Sequence, residues 1–240
     1  MSQKDLRNMD AVILCGGRGT RLESILPGRQ KVTALVGTQH FIVIVLDRLF
    51  SEGVGRVVLC VGHLKDQVVE IVSREKSSRP GWGEIIFSEE EEPLGTGGAV
   101  KHAESKILGD HFFVMNGDTL AHVPLAELHD FHLSRGSVLT IAAAPIPDRA
   151  DVGSIDLGNE HRIHGFRERA EKRAGFVNAG TYLMTRQALA EMPLGSFSIE
   201  KDFFPQLITT HPCYAFVVPI EVLDIGTPER YQKAQDIFKK

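Results

Sequence analysis

Short apolar runs alternate with amphipathic stretches through the first 145 residues. The runs Ala11–Leu14, Arg56–Val61, Glu84–Phe87, His111–Met115 and Val138–Ala143 predict strands, and the first is short enough to be fully buried. Phe41–Ser51, Lys65–Ser73, Gly97–Ser105 and Leu125–Leu133 carry helical patterns. Strand and helix in alternation argue for a parallel sheet with covering helices, and Gly53, Gly55, Gly62 and Gly109 punctuate the boundaries. After Pro145 the character changes. Ile155–Leu157 and Arg162–Phe166 read as a hairpin around Gly158-Asn159, followed by a long strand at Phe176–Met184. Thr185–Glu191 and Ile199–Thr209 read as helical, Tyr214–Val218 as a strand, and Val222–Ile225 as a short apolar run. A last helix spans Pro228 to Phe238, with Pro228 suited to its first turn. Without a repeat, a low-complexity tract or a Gly/Ser linker, the 240 residues read as one domain in two lobes, about 1–145 and 146–240. Pro80-Gly81-Trp82-Gly83 reads as a surface loop.

Composition narrows the classes. Hydrophobic residues make up 42% and charged residues 24%, ordinary for a globular protein. The net charge of −4 provides no basic field for nucleic acid. Cys15, Cys60 and Cys213 lie far apart without a CxxC, so reduced thiols are expected rather than a disulfide framework. No apolar run approaches the ~20 residues of a membrane span, and the first residues lack the apolar stretch of a signal peptide, so a cytoplasmic location is expected. His129-x-x-His132, on a predicted surface helix, and His161-x-x-His164 have no nearby partners to complete a zinc set.

The candidate chemistry begins at Leu14-Cys15-Gly16-Gly17-Arg18-Gly19-Thr20-Arg21-Leu22. A strand runs into three glycines within four positions, framed by two arginines. Glycine lets the backbone approach a ligand closely and arginine stays charged, so the segment predicts a phosphate cradle. A tight turn with solvated arginines is the plainer alternative. Thr20-Arg21 stand where a Walker loop needs Lys-Ser or Lys-Thr, and Leu22 stands where the dinucleotide fingerprint needs glycine. Ten residues past Arg21, Lys31 follows the turn signal Pro27-Gly28 and could fold back over the phosphates. Pro93-Leu94-Gly95-Thr96-Gly97-Gly98 again places three glycines in four positions, while the preceding Glu89–Glu92 reads as a solvated strand end. Asn116-Gly117-Asp118 follows a strand, where ligands sit in open parallel sheets. Asp224 follows another apolar run, before Gly226-Thr227-Pro228.

GGxGTRL, PLGTGGA, the Asp118 and Asp224 motifs, Phe166–Arg169 and Phe176–Tyr182 together resemble the sugar-phosphate nucleotidylyltransferases. The resemblance runs from about Met9 to Phe238. Within that family, EEEPLGTGGA, FFVMNGDT, FVNAGTYL and LDIGTPERY look most like the D-glycero-α-D-manno-heptose 1-phosphate guanylyltransferases, with the mannose-1-phosphate guanylyltransferases close behind.

The resemblance implies a Rossmann-like α/β fold with a mixed, mostly parallel sheet flanked by helices. It also implies the reaction NTP + sugar 1-phosphate → NDP-sugar + pyrophosphate, with GTP and a heptose 1-phosphate as substrates and Mg²⁺ as cofactor, and it leaves a homodimer open. By the same resemblance, Arg21, Lys31 and Asp118 would be catalytic, and Asp118 and Asp224 would hold the metal. Leu14, Cys15, Gly16, Gly17, Gly19, Thr20, Pro93, Leu94, Gly95, Thr96 and Gly117 would surround the nucleotide. Gly153, Glu168, Arg169, Asn178 and Gly180 would meet the sugar phosphate. The chain departs from the family at Gln30-Lys31-Val32, where Pro-Lys-Pro is usual, and at Arg169, where lysine is usual. Loss of both prolines predicts a looser loop. These departures also motivate a second reading, a catalytically impaired nucleotide-sugar-binding regulatory subunit.

Overall fold

The computed structural model describes residues 6–17, 19–146, 154–167 and 175–239. In chain order the first half contains β1 (Asp10–Leu14), β2 (Leu35–Val36), β3 (Gln39–His40), α1 (Phe41–Ser51), β4 (Arg56–Val61), α2 (Lys65–Ser77), β5 (Glu84–Glu89) and α3 (Gly95–His102). Then come β6 (His111–Asn116), β7 (Thr119–Ala121), α4 (Leu125–Ser134) and β8 (Leu139–Ile146). The remainder comprises β9 (Ser154–Leu157), β10 (Ile163–Arg167), β11 (Gly175–Thr185), α5 (Arg186–Ala190), a π-helix at Ile199–Phe203, α6 (Phe204–Thr210), β12 (Cys213–Val217), β13 (Val222–Asp224) and α7 (Pro228–Phe238).

The expected mixed sheet runs β10-β9-β11-β6-β1-β4-β5, with β8 and β12 attached beside β11. β5, β4, β1 and β6 are parallel, and β11 joins β6 antiparallel, so the C-terminal strands extend the same sheet. Alternation along β1 explains how both faces are covered. Ala11 and Ile13 enter one core with residues of α1, α2, α4 and α7, while Val12 enters the other with residues of α3, α5 and α6. All three are fully buried. Strands buried on both faces read as continuous apolar runs, which is what the sequence presents. Thr227 caps α7 through the Arg230 N–H, with Pro228 in the first turn as expected.

Four expectations change. Glu90, within the acidic run, is buried rather than solvated, and His132 on α4 is fully buried rather than on a surface. The His132 ring bonds Thr140 Oγ1 at 2.8 Å and His111 at 3.1 Å. Trp82 is also buried; its indole donates to Asp47 at 2.8 Å, so the loop around it carries a core side chain. Ile199–Thr209 is helical in two pieces, a π-helix and then α6. β7 and β13, which the sequence patterns barely mark, pair antiparallel beyond the end of β6. No described helix is long and apolar enough to cross a membrane.

Candidate active site

The carboxyl ends of β1, β4, β5 and β6 converge on one edge of the sheet, and a cleft of about 1190 Å³ opens there toward the C-terminal strands. The segment after β1 is pinned at its root: the Cys15 N–H donates to the Cys60 carbonyl at 2.9 Å. Its far end is pinned by Leu22, which is buried under a 3₁₀ turn at Thr20–Leu22. Between these anchors, Gly17 is exposed with open space around it, and Gly19 adopts φ 63°, a left-handed conformation that favours glycine. Gly19, Thr20 and Arg21 line the cleft. Leu14 and Cys15 lie deeper, and the Gly117 N–H donates to the Leu14 carbonyl at 3.0 Å. A side chain at Gly117 would meet that carbonyl at 2.7 Å, so this glycine seats one turn against the other. Burial pushes the Cys15 thiol well above its ordinary pKa, which suits it to packing.

Lys31 crosses to Asp118 and forms an ion pair with its Oδ2, and both side chains line the cleft. The loop carrying Lys31 is not loose, and the reason lies in Gln30. Its backbone sits at φ −66°, ψ 129°, a conformation that proline would itself adopt. Its buried side chain accepts from the Val32 N–H at 2.6 Å and donates to the carbonyls of Cys15 and, at 3.3 Å, Gly17. The Gln30 N–H donates to Gln67 Oε1 at 2.9 Å, a bond that proline could not make. Hydrogen bonding therefore replaces the missing ring and ties Lys31 to the glycine loop. Gln30→Ala is expected to orphan these buried groups and lower stability by about 1–3 kcal/mol. Urea unfolding would read this as a lower midpoint, and an unchanged midpoint would show the tether to be idle.

The second carboxylate arrives through sheet register. β13 pairs with β7 so that Asp224 stands opposite Thr119, and the Ile225 N–H donates to the Asp118 carbonyl at 3.0 Å. Asp224 Oδ2 pairs with Arg230 at 2.7 Å, while Oδ1 accepts from the Gly226 N–H at 3.0 Å. Asp118 Oδ1 accepts from Thr119 Oγ1 at 3.1 Å. Two motifs 106 residues apart thus place hard oxygen donors on one cleft. That donor set fits Mg²⁺, which takes one or two carboxylates and completes its shell with phosphates and water.

The glycines of Pro93–Ala99 serve a different approach from the one the sequence suggests. A side chain at Gly95 would meet the Phe197 carbonyl at 2.5 Å, and one at Gly97 would meet the Phe197 ring at 2.0 Å. At Gly98 it would meet the Gly195 carbonyl at 2.2 Å. These glycines admit the 195–197 segment. The Gly97 N–H donates to the Phe197 carbonyl at 2.9 Å, the Phe197 N–H to the Leu94 carbonyl at 3.0 Å, and the Ile199 N–H to Thr96 Oγ1 at 2.9 Å. Of the segment only Thr96 lines the cleft, and Pro93, Leu94 and Gly95 do not.

Glu90 is the residue that sequence reasoning missed here. Its Oε2 accepts from the Leu94 N–H at 3.1 Å. Its Oε1 lies 3.0 Å from the place a side chain would occupy at Gly16, and Gly62 is also close. The carboxyl therefore sits between the first glycine loop and the second. Burial pushes its pKa above the ordinary value, opposed by the Leu94 hydrogen bond. The signal in the sequence was one carboxylate of four in a row, three residues ahead of Pro93.

On the opposite wall Asn178 and Gly180 line the cleft at a bulge in β11, where Gly180 adopts φ 70°. Glu200 and Lys201 of the π-helix, which the motifs did not single out, line it too. Gly153, Glu168 and Arg169 lie outside the described residues, as does Arg18.

Known proteins share this fold and much of this sequence. The sequence profile described as Nucleotidyl transferase matches residues 10–240. The D-glycero-alpha-D-manno-heptose 1-phosphate guanylyltransferase of Aneurinibacillus thermoaerophilus is 32% identical over 228 residues, covering 95% of this chain and 97% of that protein. The mannose-1-phosphate guanylyltransferase of Mycobacterium tuberculosis is 32% identical over 227 residues, but the chain spans only 62% of its length. The crystal structure of HddC from Yersinia pseudotuberculosis superposes with a TM-score of 0.85 at 31% identity, covering 96% of this chain and 100% of that one. HddC complexed with GMP-PN gives the same TM-score at 32% identity. With a profile match across nearly the whole length, and a relative of the same size above 30% identity, the chain belongs to the nucleotidyl transferase family.

Proposed function

We propose that the protein transfers a guanylyl group from GTP to D-glycero-α-D-manno-heptose 1-phosphate, releasing pyrophosphate and forming the GDP-sugar. The observation that carries this reading is the meeting of Arg21, Lys31, Asp118 and Asp224 on one cleft. An ionised oxygen of the sugar phosphate attacks the α-phosphorus. The new P–O bond forms as the bond to the β-phosphate bridging oxygen breaks, and pyrophosphate leaves with that electron pair. No general base is needed, because the attacking oxygen carries no proton. Both reactants are polyanions, so positioning and charge neutralisation dominate the barrier. Arg21 and Lys31 supply fixed cationic charge to the triphosphate and the transition state. Asp118 and Asp224 would hold Mg²⁺, releasing Lys31 and Arg230 toward phosphate; when bound, the ion supplies further neutralisation of phosphate charge. Residues 1–145 serve the nucleotide and residues 146–240 the sugar.

Glu90 favours guanine as the base. Guanine presents adjacent N–H donors on its Watson–Crick edge, which a carboxylate accepts in pairs. Adenine, cytosine, uracil and thymine lack two adjacent donors on that edge, so a carboxylate set to accept a pair of hydrogen bonds would face an acceptor in each. The heptose assignment rests on the full-length relative, with mannose 1-phosphate as the alternative acceptor. The regulatory-subunit reading loses one of its two motives, since the hydrogen bonds of Gln30 hold the Lys31 loop in place of proline; the other, Arg169, lies outside the described residues. The test is a matrix of nucleoside triphosphates against hexose and heptose 1-phosphates, scored by pyrophosphate release with Mg²⁺. GTP with the heptose 1-phosphate is expected to give the fastest release; silence across the matrix, with nucleotide binding retained, would restore the regulatory reading.

A further inference from the structure

The bulge in β11 does more than make room. At Asn178–Tyr182 the pairing with β8 slips, and the left-handed Gly180 turns its N–H onto Asn178 Oδ1 at 2.8 Å. Asn178 Nδ2 then points to two partners, Tyr182 Oη at 2.8 Å and Glu200 Oε1 at 2.8 Å. The Tyr182 hydroxyl donates to the same Glu200 oxygen. An amide nitrogen has two hydrogens, so both Asn178 donors are spent inside the protein. Asn178 therefore has no N–H left for a sugar hydroxyl.

Glu200 is the group left facing the cleft. Its Oε1 is fixed by two donors, and no described residue donates to Oε2. The residue lines the cleft on a π-helix, an irregularity that recurs at functional sites. Tyr182 is fully buried, and burial, followed by the nearby Glu200 carboxylate, pushes its phenol well above the ordinary pKa. It stays protonated and continues to donate. Lys201, the next residue, lines the same cleft, so an acceptor and a cation stand side by side, suited to a polyol that carries phosphate.

We infer that Glu200 is the residue that reads the sugar hydroxyls, accepting hydrogen bonds through Oε2, and that Tyr182 and Asn178 are positioning residues that hold its carboxylate toward the cleft. The inference rests on the reaction proposed above. It moves sugar recognition on this wall from Asn178 to a residue outside the family motifs that the sequence displays.

The experiment compares wild type with Glu200→Gln and Tyr182→Phe in steady-state pyrophosphate release, using GTP with D-glycero-α-D-manno-heptose 1-phosphate and with mannose 1-phosphate. For Glu200→Gln, KM for the sugar phosphate is expected to rise about 10–100-fold, as for loss of a charge-assisted acceptor, with KM for GTP unchanged. Tyr182→Phe keeps the ring and removes only the donor; it is expected to raise the same KM by a smaller factor and again spare GTP. An unchanged sugar KM in Glu200→Gln, or an equal rise in both KM values, overturns the inference. Calorimetric titration of each sugar phosphate into wild type and Glu200→Gln separates the two readings. If wild type releases no pyrophosphate, the reaction is wrong, yet sugar phosphate binding that is lost in Glu200→Gln still supports the inference. Equal binding by both proteins, or no binding by wild type, overturns it.

Discussion

Lys31→Ala is expected to lower turnover by on the order of 10²- to 10³-fold, the loss typical when one preorganised charge is removed from the transition state. Asp118→Asn should fall by a similar factor, and Asp224→Asn by on the order of 10²-fold or more. The effect is electrostatic. The reaction brings two phosphates together, and little covalent help is available from the protein. Lys31 is preset by the tether through Gln30, so its charge need not be gathered from solvent during the reaction. Because Lys31 and Asp118 act as a pair, the double variant should lose far less than the product of the two single losses. The measurement is kcat from pyrophosphate release at saturating substrates, with folding checked by circular dichroism. Near-wild-type turnover in Lys31→Ala would remove the lysine from the chemistry.

The second large effect concerns the base. Glu90→Gln is expected to raise KM for GTP by on the order of 10²-fold or more while leaving KM for the sugar phosphate alone. A site built around a hydrogen-bond acceptor discriminates strongly, since the mismatch leaves buried polar groups unpaired. Glutamine keeps the size and the Leu94 contact but offers one acceptor and one donor, a pattern that complements the adjacent donor and acceptor of uracil or thymine. Relative activity with UTP or dTTP should therefore rise against GTP. Equal KM values for GTP in the two proteins would remove Glu90 from base recognition.

Much of this architecture was legible in the sequence because strands buried on both faces are written as continuous apolar runs. β1, β4 and β6 lie within a residue of their expected bounds, and α1 and α7 match theirs. Asp118 and Asp224 were legible as strand-end carboxylates. That they share one cleft was implied by the family resemblance alone; the pairing that brings them there was not legible, since β7 and β13 are three-residue strands too short to carry a period. Gln30 was read as a lost proline, because a sequence displays the absence of a ring but not three side-chain hydrogen bonds to partners up to fifteen residues away. Glu90 was hidden in a run of identical charges, where only burial separates it from the solvated ones. Glu200 belongs to a helix of unusual winding, which shifts side chains off the helical spacing on which pattern reading relies.

The main-chain bonds joining Leu94 and Gly97 to Phe197 have a consequence for how such enzymes diversify. The two halves of the cleft meet along a seam of peptide groups, whose spacing is set by backbone geometry and by the glycines that admit it. Neither Glu90 nor Glu200 supplies the Leu94–Phe197 or Gly97–Phe197 bonds of the seam. On the roles proposed for them above, the choice of base and the choice of sugar would be separable characters, free to drift independently around a fixed reaction coordinate.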